Sequence, residues 1–591
     1  MAEQSVVQWA YRAQKRLGVC AEVPNFQEVE GFDGSHQGAR ALEYSADGAW
    51  LAIALEKGVA VYQVQDTRTS LKHLLPIEKG IELSFSPAGT YLSTWERPAK
   101  NEAGDQTTWS KNLRVWSTAT GQVIAEFERR QLDGCFFQFT ADEAYCVRQA
   151  GSELQVFDPK QLANGPIGRL RTENIGSFQL GPGSKPSIAV FFPEKKGAPA
   201  FVKIFALTSL LSSSPTHSAQ KSFFKADKIT FKWNSIGSSL LLMTATDHDQ
   251  TGKSYYGETN LYMLSARGDF DCRVSLDKEG PIHDFAWNPN AREFLVVYGY
   301  MPAKAVIFSY RVNVIADLGT QPRNLIAFNP QGRLFCLAGF GNLAGTVDIW
   351  DRENLKDGKA FTLDASNSTT LQWAPDGHYL LTGTLSPRLR VENGLKIWHC
   401  SGKLIHVQMI DETYQLAFRP SAKAPPPFAK QIPAAPAPSA AAAELLARKT
   451  TAARPTGAYR PPGARSSGTS SSDYLRRNED LGAAPAPVAS QAKFVPPNAK
   501  GRRGKVPGAA PSSQPSGKAN AAPKPAMGAA DVSAQSAEAQ SAEKRLRNLS
   551  KKLKAIEQLK DRRNKGETLE QTQLQKIQTE AEIRAEMQSL G

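Results

Sequence analysis

Long apolar runs are missing from this 591-residue sequence. Nothing approaches the roughly 18 consecutive apolar residues that span a bilayer, and the opening MAEQSVVQWAYRAQKRLG lacks the basic-then-apolar layout of a secretory signal. A cytoplasmic, intracellular chain without a membrane role is expected. Cysteine is scarce: Cys20, Cys135, Cys146, Cys272, Cys336 and Cys400 are scattered with no CxxC pair, as suits reduced thiols filling core positions. Histidine is scarce too, eight residues with no HxH or HxxxH spacing, so no metal site is expected.

Catalytic signatures are equally absent. TGKS at residues 251–254 lacks the phosphate-loop glycine, because Asp247 stands where it would be, and the segment lies between strand patterns. GFGNLAG at residues 339–345 has the wrong glycine spacing for a dinucleotide fingerprint and leads into a strand. The GxSxG elbow of propeller-bearing peptidases is not found. No catalytic residue, cofactor or enzymatic activity is expected.

What the chain does have is charge, unevenly placed. Residues 1–420 carry 43 Lys+Arg and 43 Asp+Glu, whereas residues 421–591 carry 28 and 14, so the entire formal charge of +14 lies in the tail. With a sequence pI of about 9.3, this predicts a polyanionic partner for the tail, nucleic acid ahead of anionic membrane.

The neutral front is a repeat. An aromatic or leucine, a turn signal and a short apolar strand recur from Tyr44, Phe85, Phe139, Leu180, Trp233, Trp287, Phe328, Trp373 and Phe418, at intervals of 41 to 54 residues. That is near the roughly 40–50 residues of a four-stranded propeller blade. Between the copies lie VAVYQV, LRVWS, LQVFD, VKIFAL, LYMLS, AVIFSY, VDIWD and LKIWH, alternating at period two like half-buried strands. The turn closes a hairpin while the aromatic packs between blades. An all-β, nine-bladed, WD40-like β-propeller over residues 1–420 is predicted. It is divergent, since only residues 349–351 end a strand in Trp-Asp. The ninth copy has no following partner strand, so SVVQWAYR near the N-terminus is expected to complete that blade and close the ring. Two sandwich domains with regular turns are the alternative.

From residue 421 to 540 the composition turns to Ala, Pro, Ser, Gly and basic residues, which predicts a disordered linker. Two islands stand out within it. TGAYRPPGAR offers Tyr459, Arg460 and Arg465, and KFVPPNAKGRRGK offers Arg502, Arg503 and Lys505. An aromatic that stacks on a base beside cations that meet phosphates is one reading; a solubilising basic linker is the other. Residues 541–591 read as a helical hairpin. Leu546, Leu549, Leu553, Ile556 and Leu559 form one apolar stripe, surrounded by Lys544, Arg545, Arg547, Lys551, Lys552, Lys554, Lys560, Arg562 and Arg563. A second, acidic arm carries Glu567, Glu570, Glu580, Glu582 and Glu586. The first arm, residues 544–565, holds 10 cations against 2 acids. Either it is a solvated coiled-coil face, or its crowded like charges are compensated by RNA, the reading favoured here.

Three stretches carry a resemblance: VVYGYMPAKA, GFGNLAG and SPRLRVENGLKIW. With AYRPPGAR and the terminal RNLSKKLKAIEQLK, they make the chain resemble the eukaryotic translation initiation factor 2A family over its whole length, least in the Ala/Pro-rich stretch. The resemblance implies a non-enzymatic cytoplasmic factor that promotes GTP-independent binding of initiator methionyl-tRNA to the small (40S) ribosomal subunit on selected mRNAs. It implies the small subunit, initiator tRNA and mRNA as partners, with other initiation factors as further candidates; a monomer is expected. Arg388 and Arg390 of SPRLRVENG are a candidate additional RNA contact, or else structural or merely solvated arginines. A propeller scaffold within the large multisubunit initiation factor and a generic protein-interaction propeller are the competing readings.

Overall fold

The computed structural model describes residues 7–21, 26–101, 108–130, 137–172, 174–195, 197–224, 226–246 and 257–452, together with Leu553, Ile556, Lys560, Glu580 and Arg584. TGKS at residues 251–254 lies outside them. Two compact units are distinguished, residues 1–465 and 466–591.

The first unit contains nine four-stranded antiparallel sheets among the described residues. Blade 1 runs Ala41–Tyr44, Trp50–Ala54, Val59–Val64 and Thr69–Leu75. Blades 2 to 8 repeat that order, with Val123–Phe127, Val314–Gln321 and Leu404–Met409 as the outermost strands of blades 2, 6 and 8. First strands of most consecutive blades touch one another, as the innermost strands of a propeller do. The predicted fold is therefore the observed one.

The repeat signal maps onto one structural event. All nine recurring residues, Tyr44 to Phe418, are the last residue of a blade's innermost strand. Except after Phe418, the following turn carries a left-handed residue: Gly48, Gly237, Gly332 and Gly377 have φ between 68° and 75°, and Glu143 and Ala291 take φ of 52° and 60° where glycine is lacking. At Gly237 a Cβ would also sit 1.9 Å from the Pro182 carbonyl oxygen of the preceding blade, so a side chain is excluded twice. The three terminal tryptophans staple blades together. Indole N–H groups of Trp233, Trp287 and Trp373 donate to the backbone carbonyls of Gln179 (3.4 Å), Lys232 (2.8 Å) and Ala327 (3.0 Å), each on the preceding blade's innermost strand.

Packing between blades is apolar. Leu295, Val297 and Ile307 of blade 6 pack with Phe335, Leu337 and Trp350 of blade 7. The ring closes as predicted: Thr413–Phe418 is the innermost strand of a ninth blade completed by Gln8–Ala13, Leu17–Ala21 and Gln27–Glu28. Trp9 faces Phe418 and Ala10 faces Ala417 in that seam.

One boundary is corrected. Residues 421–452, assigned by composition to a disordered linker, are part of the first unit and lie on blades 7 and 8. Arg333 donates to the carbonyls of Ala429 (2.6 Å) and Lys430 (2.9 Å), and Phe428 stacks on His378 with ring centroids 5.1 Å apart. Ser439 then donates its backbone N–H to the Ile405 carbonyl (2.8 Å) and opens helix α1, Ala440–Ala452, against the outermost strand of blade 8. Ala442 is fully buried there beside Leu363, Trp398, Leu404 and Val407. Alanine-rich sequence hides this contact because the packed face is only Ala442 and the partly buried Leu445, too short for an apolar stripe to stand out.

Of the six cysteines, Cys20, Cys146, Cys336 and Cys400 are buried and free, and Cys272 is free and half-buried. Cys135 lies outside the described residues.

Candidate nucleic-acid interface

In the second unit Leu553, Ile556 and Lys560 are helical, as are Glu580 and Arg584. Ile556, from the predicted apolar stripe, is buried. The ammonium of Lys560 pairs with the Glu580 carboxylate, which also receives Arg584 at 2.9 Å. The hydrogen bond from Lys560 holds the Glu580 carboxyl below its usual range. The basic arm therefore meets the acidic arm, and at this point one acid serves two cations. Lys544, Arg545, Arg547, Lys551, Lys552, Lys554, Arg562 and Arg563 lie outside the described residues. So do Tyr459, Arg460, Arg465, Arg502, Arg503 and Lys505.

Arg388 and Arg390 lie between the second and third strands of blade 8, Tyr379–Thr384 and Gly394–His399. The loop is tied from inside: the Asn393 amide donates to the carbonyls of Leu389 (2.7 Å) and Thr384 (3.3 Å), and the Ser386 N–H donates to the Thr413 carbonyl (2.7 Å). Both arginines are exposed. Arg388 lies over Gly341 of blade 7, where a Cβ would come 2.4 Å from its Nη2, at a residue whose φ of 82° already calls for glycine. Among the described residues neither guanidinium has an ion pair or a side-chain hydrogen bond.

Nothing in the sequence groups the three resemblance-bearing stretches, but the fold does. YGYMPAKA, GFGNLAG and SPRLRVENG connect, or run through, the second-to-third strand link of blades 6, 7 and 8, and antiparallel order puts those links on one face of the ring. Reading for charge alone misses their exposed apolar members. Tyr300, Met301 and Val391 are 45%, 40% and 61% exposed, where a surface loop would ordinarily carry polar residues. The detectable signal is an aromatic and a methionine inside a Gly/Pro-bounded loop. Among the described residues no group of three His, Cys, Asp or Glu side chains could hold a metal ion, and no helix is long and apolar enough to cross a membrane.

Comparison with known proteins places this geometry in a family. Residues 221–416 match the family described as Eukaryotic translation initiation factor eIF2A, and residues 544–590 match the Eukaryotic translation initiation factor 2A C-terminal domain. Eukaryotic translation initiation factor 2A of Schizosaccharomyces pombe is 42% identical over 593 residues, covering 99% of this chain and 98% of that protein. A solved structure described as the crystal structure of the eukaryotic initiation factor superposes with a TM-score of 0.64 at 40% identity, over 70% of this chain and 99% of the other. A component of Eukaryotic translation initiation factor 3 from Dictyostelium discoideum is similar at 24% identity over 399 residues, covering 65% of this chain and 56% of that protein. With such identity to the fission-yeast protein along its whole length, the chain belongs to the eukaryotic translation initiation factor 2A family.

Proposed function

We propose that this chain is a non-enzymatic, cytoplasmic translation initiation factor that promotes GTP-independent binding of initiator methionyl-tRNA to the small (40S) ribosomal subunit on selected mRNAs. The ring is the rigid platform, and the basic arm of the C-terminal hairpin is the RNA-gripping element. The Ala/Pro-rich sequence between them is the tether, and linking two weak contacts raises avidity through effective concentration.

The observation that carries this reading is the shared carboxylate of Glu580. Lys560 and Arg584 both draw on it, so the acidic arm is partly consumed by its own cation. With 10 cations and 2 acids over residues 544–565, the basic arm keeps a surplus for phosphates. Lys544, Arg545, Arg547, Lys551, Lys552, Lys554, Lys560, Arg562 and Arg563 are the proposed contacts, with Arg388 and Arg390 as a second patch on the ring. The likeness to a component of initiation factor 3 supports a second reading, a propeller scaffold within a larger initiation complex without a direct tRNA role.

Retention of labelled initiator methionyl-tRNA on purified small subunits, with mRNA but no GTP, tests the proposal. The protein raises retention if the reading is right. Retention that rises only with GTP, or only with other factors, favours the scaffold.

A further inference from the structure

Among the described residues Arg148 makes no ion pair, although the charge of Glu153 is near enough to favour its protonated form. It projects from Cys146–Ala150 of blade 3 into a cleft of about 370 Å³ between that blade and the outermost strand of blade 2. Its guanidinium lies 4.2 Å over the Phe127 ring and 5.8 Å from the Phe157 ring. Nε donates to the Gln155 side-chain oxygen at 3.0 Å. Among the described residues no carboxylate pairs with it, and its two terminal nitrogens have no hydrogen-bond partner. Nearby acids are already engaged: Glu153 receives Arg169 (3.0 Å) and Arg171 (3.4 Å), and Glu126 receives Arg114 (2.8 Å). Burial, reinforced by the repulsion of Arg129, pushes the Arg148 guanidinium down to about 10. A half-buried cation held this way is costly unless an anion completes it.

The free edge of a guanidinium presents two parallel N–H donors, a match for a carboxylate. Lys111 adds a second cation at the cleft, and Phe127 and Phe157 give it apolar walls. A nucleic-acid strand would need a row of cations along an open track. Among the described residues the cleft's lining has two, Arg148 and Lys111, in a recess that also holds Glu126. We infer that the cleft between blades 2 and 3 anchors a partner protein's peptide through an aspartate or glutamate side chain flanked by an apolar residue. This lies beyond the RNA contacts of the proposed function and stands apart from them.

Anisotropy titrations of the full-length protein test it, using a labelled hexapeptide with one glutamate between two phenylalanines, its glutamine counterpart, and hexauridylate. The wild type should prefer glutamate over glutamine at least tenfold. Arg148→Gln should abolish that preference, Arg148→Lys should keep part of it, and Lys111→Met, at an exposed position, should reduce it about threefold. The basic tail is common to every variant and cancels in the comparison. A preference unchanged in both Arg148→Gln and Lys111→Met overturns the inference. So does hexauridylate binding that weakens as much as peptide binding on loss of Arg148, which would give the cleft to RNA.

Discussion

Gln415 and Leu42 are 373 positions apart and hydrogen-bonded in both directions: the Gln415 amide donates to the Leu42 carbonyl at 2.5 Å and accepts the Leu42 N–H at 3.1 Å. The contact joins the innermost strand of blade 9 to that of blade 1, where the ring closes. Arg12 holds the same glutamine oxygen at 3.2 Å. Gln138 and Gln372 make related bridges across two residues: Gln138 donates to the Phe178 carbonyl and accepts the Leu180 N–H from blade 3 to blade 4, and Gln372 donates to the Leu416 carbonyl and accepts the Phe418 N–H from blade 8 to blade 9. Side-chain amides thus take up backbone groups on innermost strands that no ladder partner reaches.

Removing the closing amide should loosen the seam. Gln415→Leu leaves both Leu42 backbone groups unpaired, at about 1–3 kcal/mol each. The thermal midpoint and urea midpoint should fall, and limited proteolysis should first cut near the N-terminal strands. An unchanged midpoint would show that Leu42 finds water instead.

Asp348 is fully buried and accepts from Arg323 (Nε 3.0 Å, Nη2 2.5 Å), Lys359 (3.2 Å) and Thr362 (2.8 Å). Asp348→Leu strands the buried Arg323 and should cost about 3–5 kcal/mol. Arg323→Met with Asp348→Leu should cost less than Asp348→Leu alone, because apolar packing replaces the pair. Denaturant melts of the single and double variants read this directly.

Two buried histidines should make the ring less stable in acid. Burial lowers His399 and His406 to about 4, below the usual 6.5. Both are neutral when folded and protonate when unfolded, so their contribution is complete above about 6.5 and is lost as pH falls toward 4. His378 is raised instead, chiefly by its hydrogen bond with Asp376. It is protonated in both states below 6.5, so its contribution changes only above that value. Melting midpoints between pH 6.5 and 4 should fall in the wild type and flatten in a His399→Gln, His406→Gln double variant.

Blade 8 needs its cover. A chain ending at residue 420 should melt several degrees below one ending at 452, because it exposes the surface that Phe428 and Ala442 occupy. Ala442→Glu in the full chain should also destabilise, by about 2 kcal/mol or more, since it places a charge in a fully buried site. Equal melting of the 420 and 452 chains would show that α1 adds nothing to the ring.

How much of this could be read from the amino acids depends on where each signal lives. Blade count and closure were legible because Trp287, Trp373 and their equivalents end an innermost strand before a left-handed turn, and side-chain size and backbone strain together fix that pattern. Residues 421–452 were not legible. Their contacts with the ring are one stacked phenylalanine, the Ser439 hydroxyl, backbone carbonyls and a helix face of only Ala442 and Leu445, too short a stripe for periodicity to detect. Tyr300 and Met301 escaped a search for cations, and the Arg148 cleft exists only because side chains from two consecutive blades converge on it. The basic arm shows in the sequence as charge, and Lys560 paired with Glu580 puts the two arms in contact at that point, while the approach of Arg388 to Gly341 needed the fold.

The central claim is that a charge-balanced ring supplies shape and the basic arm grips RNA. Sedimentation with purified small subunits tests it most directly, comparing the full chain, a chain ending at 452, and a full chain with Lys544, Arg545, Arg547, Lys551, Lys552 and Lys554 changed to Gln. The account predicts salt-sensitive co-sedimentation of the full chain and at least a tenfold loss in both variants. Undiminished co-sedimentation of the Gln-substituted chain would contradict it.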